Sequence, residues 1–297
     1  VTTSYNRTAF ENAGLPSHPD DISLETFADW KRVSEALVED AGLPQAATWP
    51  GVSWLYETFF ALNGQELLNN RNGRQAPATE SYLDSEAASE IYQWTAELYR
   101  NDHYLYSDGY GSARQAFLNK EAAIELNTSA GLATVGQNAR DSGFEHGVGT
   151  LPSASASDRG GPIIGGGALF IPRGISKAEA EAAAEFLLWF SEPEQQARWH
   201  MNTGYHPTSD QAEQIAEQQG FYETAPQFKR ALQQFKQRPE TPATAGALTF
   251  DHREIRTEVA NSVERLLGGA SPDSVLSSAT EAVDSVLERA SDADPRS

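Results

Sequence analysis

The chain has 297 residues, of which 39% are apolar, and it carries 42 Asp and Glu against 22 Lys and Arg for a formal net charge of -20. This length and composition allow a substantial buried core, as about two domains or one large one. The charge excludes nucleic acid and anionic membranes as partners, because both would be repelled. Abundant acidic residues with few lysines favour a halophilic surface over that of an ordinary acidic protein.

Short apolar runs alternate with helical patterns through the first half of the chain. Residues 1–6, 122–126 and 147–152 predict strands. Between the first two, apolar residues recur at spacings of three and four over 24–37, which predicts an amphipathic helix capped by Ser23. The alternation of helices with buried strands is typical of an α/β fold.

Residues 162–172 contain three consecutive glycines in an apolar run bounded by prolines. This pattern predicts a buried strand that another backbone or a ligand approaches closely. The preceding segment, 153–161, is rich in small residues and predicts a lobe boundary. After the glycines, residues 177–190 predict a helix, the remainder is mainly helical, and 292–297 predict a disordered tail.

Motifs of catalysis or cofactor binding are missing from the sequence. The six histidines lack metal-ligand spacing, and the glycines at 165–167 lack the Lys-Ser/Thr of a phosphate-binding loop. There is no Gly-x-Ser-x-Gly nucleophile motif. We therefore predict no metal, no cofactor and no catalytic residue. An enzyme that acts on glycans through two carboxylates stays open as an alternative of a different class.

Three residues are suited to binding a small molecule. Trp49 precedes Pro-Gly in a predicted loop, where an indole face can stack on a ligand. Tyr205 lies in a Gly-Tyr-His-Pro turn, and Arg256 could hold a phosphate or carboxylate. Residue chemistry alone favours a core position for Trp49, a structural role for Tyr205, and for Arg256 an intrahelical salt bridge with Glu254 or Glu258.

Several segments together resemble one family. They are Tyr-Asn-Arg-Thr-Ala-Phe at 5–10 with Ala-Gly-Leu at 13–15, Ile-Ile-Gly-Gly at 163–166, Trp-His and Thr-Gly-Tyr-His-Pro within 199–207, Gln-Gly-Phe-Tyr-Glu at 219–223, and Glu-Ile-Arg at 254–256. In this order they are similar to the extracellular solute-binding proteins of ABC importers (family 1), most closely the glycerol-3-phosphate-binding branch. The resemblance covers nearly the whole chain.

The resemblance implies a fold of two α/β lobes that close like a clamp, the periplasmic-binding-protein-like (type II) architecture. Residues 1–152 would form the first segment of the second, C-terminal lobe. Residues 153–205 would return to the first lobe, and 206–297 would complete the second. The family also carries a long N-terminal segment that this sequence does not contain. The expectation is therefore an N-terminally truncated chain whose first lobe is incomplete.

The same resemblance implies a function in transport without catalysis. The protein would capture glycerol-3-phosphate or glycerophosphodiesters by lobe closure and present them to the permease subunits of an ABC importer. It would act as a monomer outside the cell or in the periplasm, anchored to the membrane through the N-terminal segment. A neutral disaccharide or maltodextrin binder is the alternative, and a truncated fragment that binds nothing is the third.

The resemblance also assigns roles to ligand-binding residues. Trp49 would lie against the glycerol moiety, while Tyr205 and Arg256 would hold the phosphate. A backbone N–H in the Gly165–Gly166 pair would face the ligand, and Ser129 would be the family's cleft serine. The full set expected at the site is Trp49, Ser129, Gly165, Gly166, Tyr205 and Arg256.

Overall fold

The computed structural model describes residues 1–157 and 160–291. The described strands are β1 (Thr2–Asn6), β2 (Gln45–Pro50), β3 (Tyr104–Ser107), β4 (Ala122–Asn127) and β5 (His146–Gly149). The described helices are α1 (Arg7–Asn12), α2 (Phe27–Glu39), α3 (Ser53–Leu62), the left-handed turn α4 (Asn69–Gly73), α5 (Glu86–Arg100), α6 (Tyr110–Leu118), α7 (Leu132–Asp141), α8 (Lys177–Phe190), α9 (Pro193–Thr203), α10 (Asp210–Gln218), α11 (Phe221–Thr224), α12 (Pro226–Lys236), α13 (His252–Leu267) and α14 (Pro272–Ser291). The predicted α/β class is confirmed.

One mixed sheet organises this part of the chain, with the strand order β3-β2-β4-β1-β5. Strand β2 runs parallel to β3 and β4, whereas β1 runs antiparallel to β4 and β5. The carboxyl ends of the parallel strands, at Pro50, Ser107 and Asn127, therefore share one edge. In open α/β sheets, ligands bind beyond this edge.

Amphipathic helices cover the sheet, as α2 illustrates. Trp30, Val33 and Leu37 are buried at the predicted spacings. The predicted cap is wrong by three residues, because Thr26 and not Ser23 caps α2. The Thr26 side chain accepts the N–H of Asp29, and the Asp29 carboxylate accepts the N–H of Thr26. The Ser23 hydroxyl donates to the same carboxylate at 2.9 Å, so it reinforces a capping box that it does not form.

The described part of the predicted linker is held firmly by backbone hydrogen bonds. Ser153 is buried, and its carbonyl accepts the N–H of Phe27 at 2.9 Å. Gly160 donates to the carbonyl of Leu62 at 2.9 Å, and Ile163 is buried. Ser153 therefore lies against α2 and residues 160–163 lie against α3, and the lobe boundaries remain predictions.

The predicted buried strand over 162–172 is wrong. The segment forms no strand, and it is exposed from Ile164 onwards, with Phe170 84% exposed. A strand needs a neighbour for its N–H and C=O groups, and no strand among the described residues pairs with this segment. Helix α8 follows within the predicted bounds. The predicted disordered tail, 292–297, lies outside the described residues.

Within the described ranges, every helix is too short or too polar to cross a lipid bilayer.

Candidate functional site

Glu57 is the one charged residue of α3, and it is buried, at 5% exposed. Its Oε1 accepts the N–H of Ala247 at 2.8 Å, and its Oε2 lies 3.2 Å from Nη2 of Arg256 and 3.6 Å from Nε2 of His252. Burial acts to raise the pKa of Glu57, but the interactions with His252, the Ala247 amide and Arg256 hold it below its usual value. An ionised carboxylate thus forms the floor of a polar cluster.

Arg256, near the start of α13, pairs with Glu57 rather than with its helix neighbours. The intrahelical salt bridge predicted with Glu254 or Glu258 is wrong, because Glu254 pairs with Arg289 at 2.6 Å and, within the described residues, no ion pair joins Arg256 to Glu258. The Arg256 side chain is 41% exposed, although its Nε is buried and has no hydrogen-bond partner among the described residues. The guanidinium is therefore fixed on one side and retains donors for an anion.

Two aromatic side chains stand beside this cluster. Trp54 is half-buried at the start of α3, and its ring lies 6.4 Å from that of Tyr110 in an edge-to-face arrangement. Burial raises the pKa of Tyr110, and the nearby positive charge of Arg256 offsets part of that shift. Gly165 packs on Trp54 so closely that a Cβ there would lie 2.6 Å from the indole. A side chain at position 165 would therefore require the Trp54 ring to move.

The turn after α9 brings Tyr205 to the same region. Helix α9 ends at Gly204 with φ +106°, where a Cβ would lie 2.1 Å from the carbonyl oxygen of Ser129. The Nδ1–H of His200 donates to the carbonyl of Tyr205 at 2.7 Å. A Cβ on Gly166 would lie 3.8 Å from the Tyr205 ring. Ser129, Gly166 and Tyr205 are therefore close neighbours.

Asn127 fixes the start of α6 to the end of β4. Its Nδ2 donates to Oε1 of Glu125 at 2.5 Å and to the carbonyl of Tyr110 at 3.0 Å, while its Oδ1 accepts the N–H of Thr128 at 2.7 Å. Burial raises the pKa of Glu125, and Arg114 at 3.5 Å partly counteracts the rise. This buried network holds Tyr110 next to the loop that carries Ser129.

Trp49 does not reach this site, and its predicted loop position is wrong. It belongs to β2 and is fully buried. Tyr104 stacks on the indole at 3.7 Å between ring centroids, and Trp94 stacks on it at 5.5 Å. With these rings against it, the indole is closed to a ligand. Core packing, the alternative that residue chemistry favoured, is what the structure shows.

Glycine contacts place four of the six predicted residues at Trp54 or beside the turn after α9: Ser129, Gly165, Gly166 and Tyr205. Arg256 is related to them through Tyr110, which feels its charge and lies edge-to-face with Trp54. Sequence reasoning missed Trp54, Glu57 and Tyr110. The available signals were a second tryptophan five residues after Trp49, a lone carboxylate in the apolar α3, and a tyrosine directly after an Asp-Gly turn.

Comparison with known proteins identifies the class. Residues 1–230 match the family of bacterial extracellular solute-binding proteins. The chain therefore belongs to this family, and the membership predicted from its motifs is confirmed.

Within that family, the chain is 30% identical to the sn-glycerol-3-phosphate-binding periplasmic protein UgpB of Pectobacterium atrosepticum, over 96% of this chain and 64% of the relative. It is 29% identical to the protein of the same name from Escherichia coli K12, with the same coverage. The chain thus spans about 64% of the length of the curated relatives that it matches.

Solved structures confirm the predicted fold class. The UgpB structure from Mycobacterium tuberculosis, in complex with glycerophosphocholine, superposes with a TM-score of 0.76 at 19% identity, covering 97% of this chain and 69% of that one. Maltose-bound MalE3 of T. maritima gives a TM-score of 0.74 at 18% identity, covering 97% and 70%. At these identities the likeness establishes the periplasmic-binding-protein-like fold alone.

Proposed function

We propose that this protein is the substrate-binding component of an ABC importer and that it captures glycerol-3-phosphate or glycerophosphodiesters without chemical change. Family membership supports the binding role, and the names of the curated relatives support the ligand class. In this proposal the protein is a monomer outside the cell or in the periplasm, held at the membrane by a preceding segment. Closure about a hinge buries the ligand and presents it to the permease subunits.

The observation that carries the proposal is the state of Arg256. Glu57 holds Nη2, so the guanidinium is oriented before a ligand arrives, and the Arg256 side chain stays 41% exposed. A charge-assisted hydrogen bond to phosphate contributes about 1.5 to 3 kcal/mol. That corresponds to an affinity preference of about 10- to 150-fold over a neutral ligand.

The neighbouring groups suit a glycerol phosphate. In the proposed complex, Trp54 takes the place that the sequence assigned to Trp49 and lies against the carbon skeleton of the glycerol. The Tyr205 hydroxyl supports the phosphate. Ser129 and a backbone N–H of Gly165 or Gly166 supply further donors.

Titration of glycerol-3-phosphate into wild type and Arg256→Ala tests the proposal. The titrations use this chain and a chimera in which it replaces the matched region of the Pectobacterium relative. We expect Arg256→Ala to weaken binding at least about tenfold. The control Arg32→Ala, on the exposed surface of α2, should leave the affinity unchanged. Equal affinities of wild type and Arg256→Ala would refute the phosphate role.

A neutral sugar is the second candidate ligand. The partly exposed rings of Trp54, Tyr110 and Tyr205 could stack on pyranose faces, and a maltose-bound protein is among the structural neighbours. A thermal-shift panel with glycerol-3-phosphate, glycerophosphocholine and maltose separates the two, since a ligand that binds the folded protein raises its melting temperature. A shift with maltose alone would favour the sugar binder. If none of the three ligands raises the melting temperature of this chain or of the chimera, the result would favour a truncated fragment that binds nothing.

A further inference from the structure

The left-handed turn α4 has a backbone conformation that residues other than glycine rarely adopt in succession. Asn70, Arg71 and Asn72 have φ of +53°, +57° and +53°, and Gly73 follows at +77°. This conformation costs free energy for a residue with a Cβ, and it normally occurs at single residues. Such strain persists only where surrounding contacts fix it, and it is concentrated at ligand sites and switches. The contacts of α4 therefore indicate what the strained turn holds in place.

Asn72 is a buried polar residue of this turn, at 1% exposed. Its Oδ1 accepts the N–H of Leu68 at 2.8 Å, and its own N–H donates to the carboxylate of Glu66 at 3.0 Å. Its other groups bind a distant loop. Nδ2 donates to the carbonyl of Pro242 at 2.9 Å, and the Asn72 carbonyl accepts the N–H of Leu248 at 2.9 Å. Asn72 therefore anchors that loop at two points.

Arg74, which directly follows α4, binds the same loop. Its guanidinium donates to the carbonyls of Gly246 and Ala245, the second at 2.9 Å. The loop covers residues 237–251, which the structure describes throughout, and it connects α12 with α13 without a helix or strand of its own. Without such regular structure, its position depends on bonds to other elements. The contacts with α4 and Arg74 therefore fix this part of the loop.

The loop in turn carries the amide that binds Glu57. The N–H of Ala247 donates to Oε1 of Glu57 at 2.8 Å, and a Cβ on Gly246 would lie 3.2 Å from the same oxygen. Oε2 of Glu57 lies 3.2 Å from Nη2 of Arg256. Because the two oxygens belong to one planar carboxylate, the amide that binds the first also sets the direction of the second. Polar contacts therefore run without a break from α4 through the loop and Glu57 to Arg256.

We propose that Asn72 and Arg74 are positioning residues for Arg256. They hold the loop where its Ala247 amide fixes Glu57, and Glu57 fixes the guanidinium that receives the phosphate. Neither residue contacts the ligand, and both act on binding through Arg256. The proposal rests on the proposed function, because that function assigns the phosphate to Arg256. A merely structural turn would affect the stability of the fold but would have no effect on binding that depends on Arg256.

Hydrogen exchange without ligand tests the hold on the loop. Asn72→Gly suits φ +53° and removes both side-chain hydrogen bonds, whereas the control Arg71→Gly relieves similar strain at an exposed residue. Arg74→Ala, also at an exposed residue, tests the loop without opening the core. We expect the Ala247 amide to exchange at least about tenfold faster in Asn72→Gly and Arg74→Ala, with Arg71→Gly and the amides of α14 unchanged. Unchanged exchange at Ala247, or an equal acceleration in α14, overturns the proposal.

Titration of glycerol-3-phosphate, into this chain and the chimera, tests the action through Arg256. Asn72→Gly and Arg74→Ala should each weaken binding at least about fivefold when Arg256 is present, and less than about twofold in the Arg256→Ala background, because residues that act through one group are not additive. Arg32→Ala controls for the loss of a surface charge. Equal weakening in both backgrounds overturns the positioning role. A wild type that binds no glycerol-3-phosphate refutes the proposed function instead, and the exchange rate of Ala247 then decides the positioning role.

Discussion

The carboxylate of Glu57 lies 3.2 Å from the guanidinium of Arg256, which is 199 residues away in the chain. Glu57 is buried, whereas Arg256 is partly open to solvent. The pair joins α3 to α13 and orients the cation at the candidate site. The contribution of this pair to protein stability and the role of Arg256 in ligand binding can be tested separately.

Glu57→Gln should destabilise the protein at neutral pH by about 1 to 3 kcal/mol, because His252 and Arg256 lose their charged partner. The folded-state pKa of Glu57 lies below the usual value of 4.5. Its stabilisation is therefore complete above pH 4.5 and is lost as the pH falls through the folded-state pKa. Urea unfolding at pH 7 and at pH 3.5 should show that the difference in the free energy of unfolding between wild type and variant is smaller in acid. The same difference at both pH values would contradict this prediction. Glu39→Gln, at an exposed position, provides the control.

Trp49→Ala should act mainly on stability, whereas Trp54→Ala should act mainly on ligand binding. Trp49 is fully buried between aromatic rings, so its removal should cost about 3 to 5 kcal/mol. Trp54 is half-buried, so the loss should be smaller, but binding of glycerol-3-phosphate should weaken. Urea unfolding and calorimetric titration of both variants measure the contrast. Equal losses of stability would contradict the assignment of Trp49 to the core and of Trp54 to the ligand site.

Gly204→Ala should disturb the turn that carries Tyr205. The substitution forces an alanine to φ +106° and places its Cβ against the Ser129 carbonyl oxygen, so we expect a loss of at least about 1 to 3 kcal/mol. Gly111→Ala is the matched control, because nothing lies within 4 Å of a Cβ there and α6 gains a better helix former. The control should be neutral or stabilising by up to about 1 kcal/mol. Thermal unfolding of both variants decides the point, and equal melting temperatures would argue against strain at Gly204.

His146 should make the protein sensitive to mild acid. Burial, with smaller contributions from Arg114 and Arg140, lowers the pKa of His146 from 6.5 to about 4, and Nε2 is hydrogen-bonded to the Ser4 hydroxyl at 3.0 Å. The folded protein keeps the ring neutral while the unfolded chain takes up a proton, so stability should fall between pH 6.5 and about 4 by up to about 3 kcal/mol. His146→Asn should lose this part of the pH dependence in urea unfolding. Identical pH profiles for wild type and variant would exclude His146 as the cause.

Local patterns in the sequence were sufficient for the elements whose stability is local. The spacing of Trp30, Val33 and Leu37 identified the buried side of α2, because a helix places such residues on one face. Helix α8 occupies its predicted residues because its composition and its end signals agree. The motif around Tyr205 also contributed to identifying the family, because a short motif can be read from the sequence without knowledge of the fold.

Tertiary structure decided what depends on neighbours from distant parts of the chain. Trp49 and Trp54 are five residues apart in one aromatic-rich stretch, and only the placement of Tyr104 and Trp94 assigns one to the core and leaves the other at the site. Arg256 could have paired within its helix, and the fold instead brought Glu57 to it. Segment 162–172 has the composition of a buried strand, but a strand forms only beside a partner edge, and no described strand provides one. The sequence by itself determined the elements and the family, whereas contacts between distant residues determined the site.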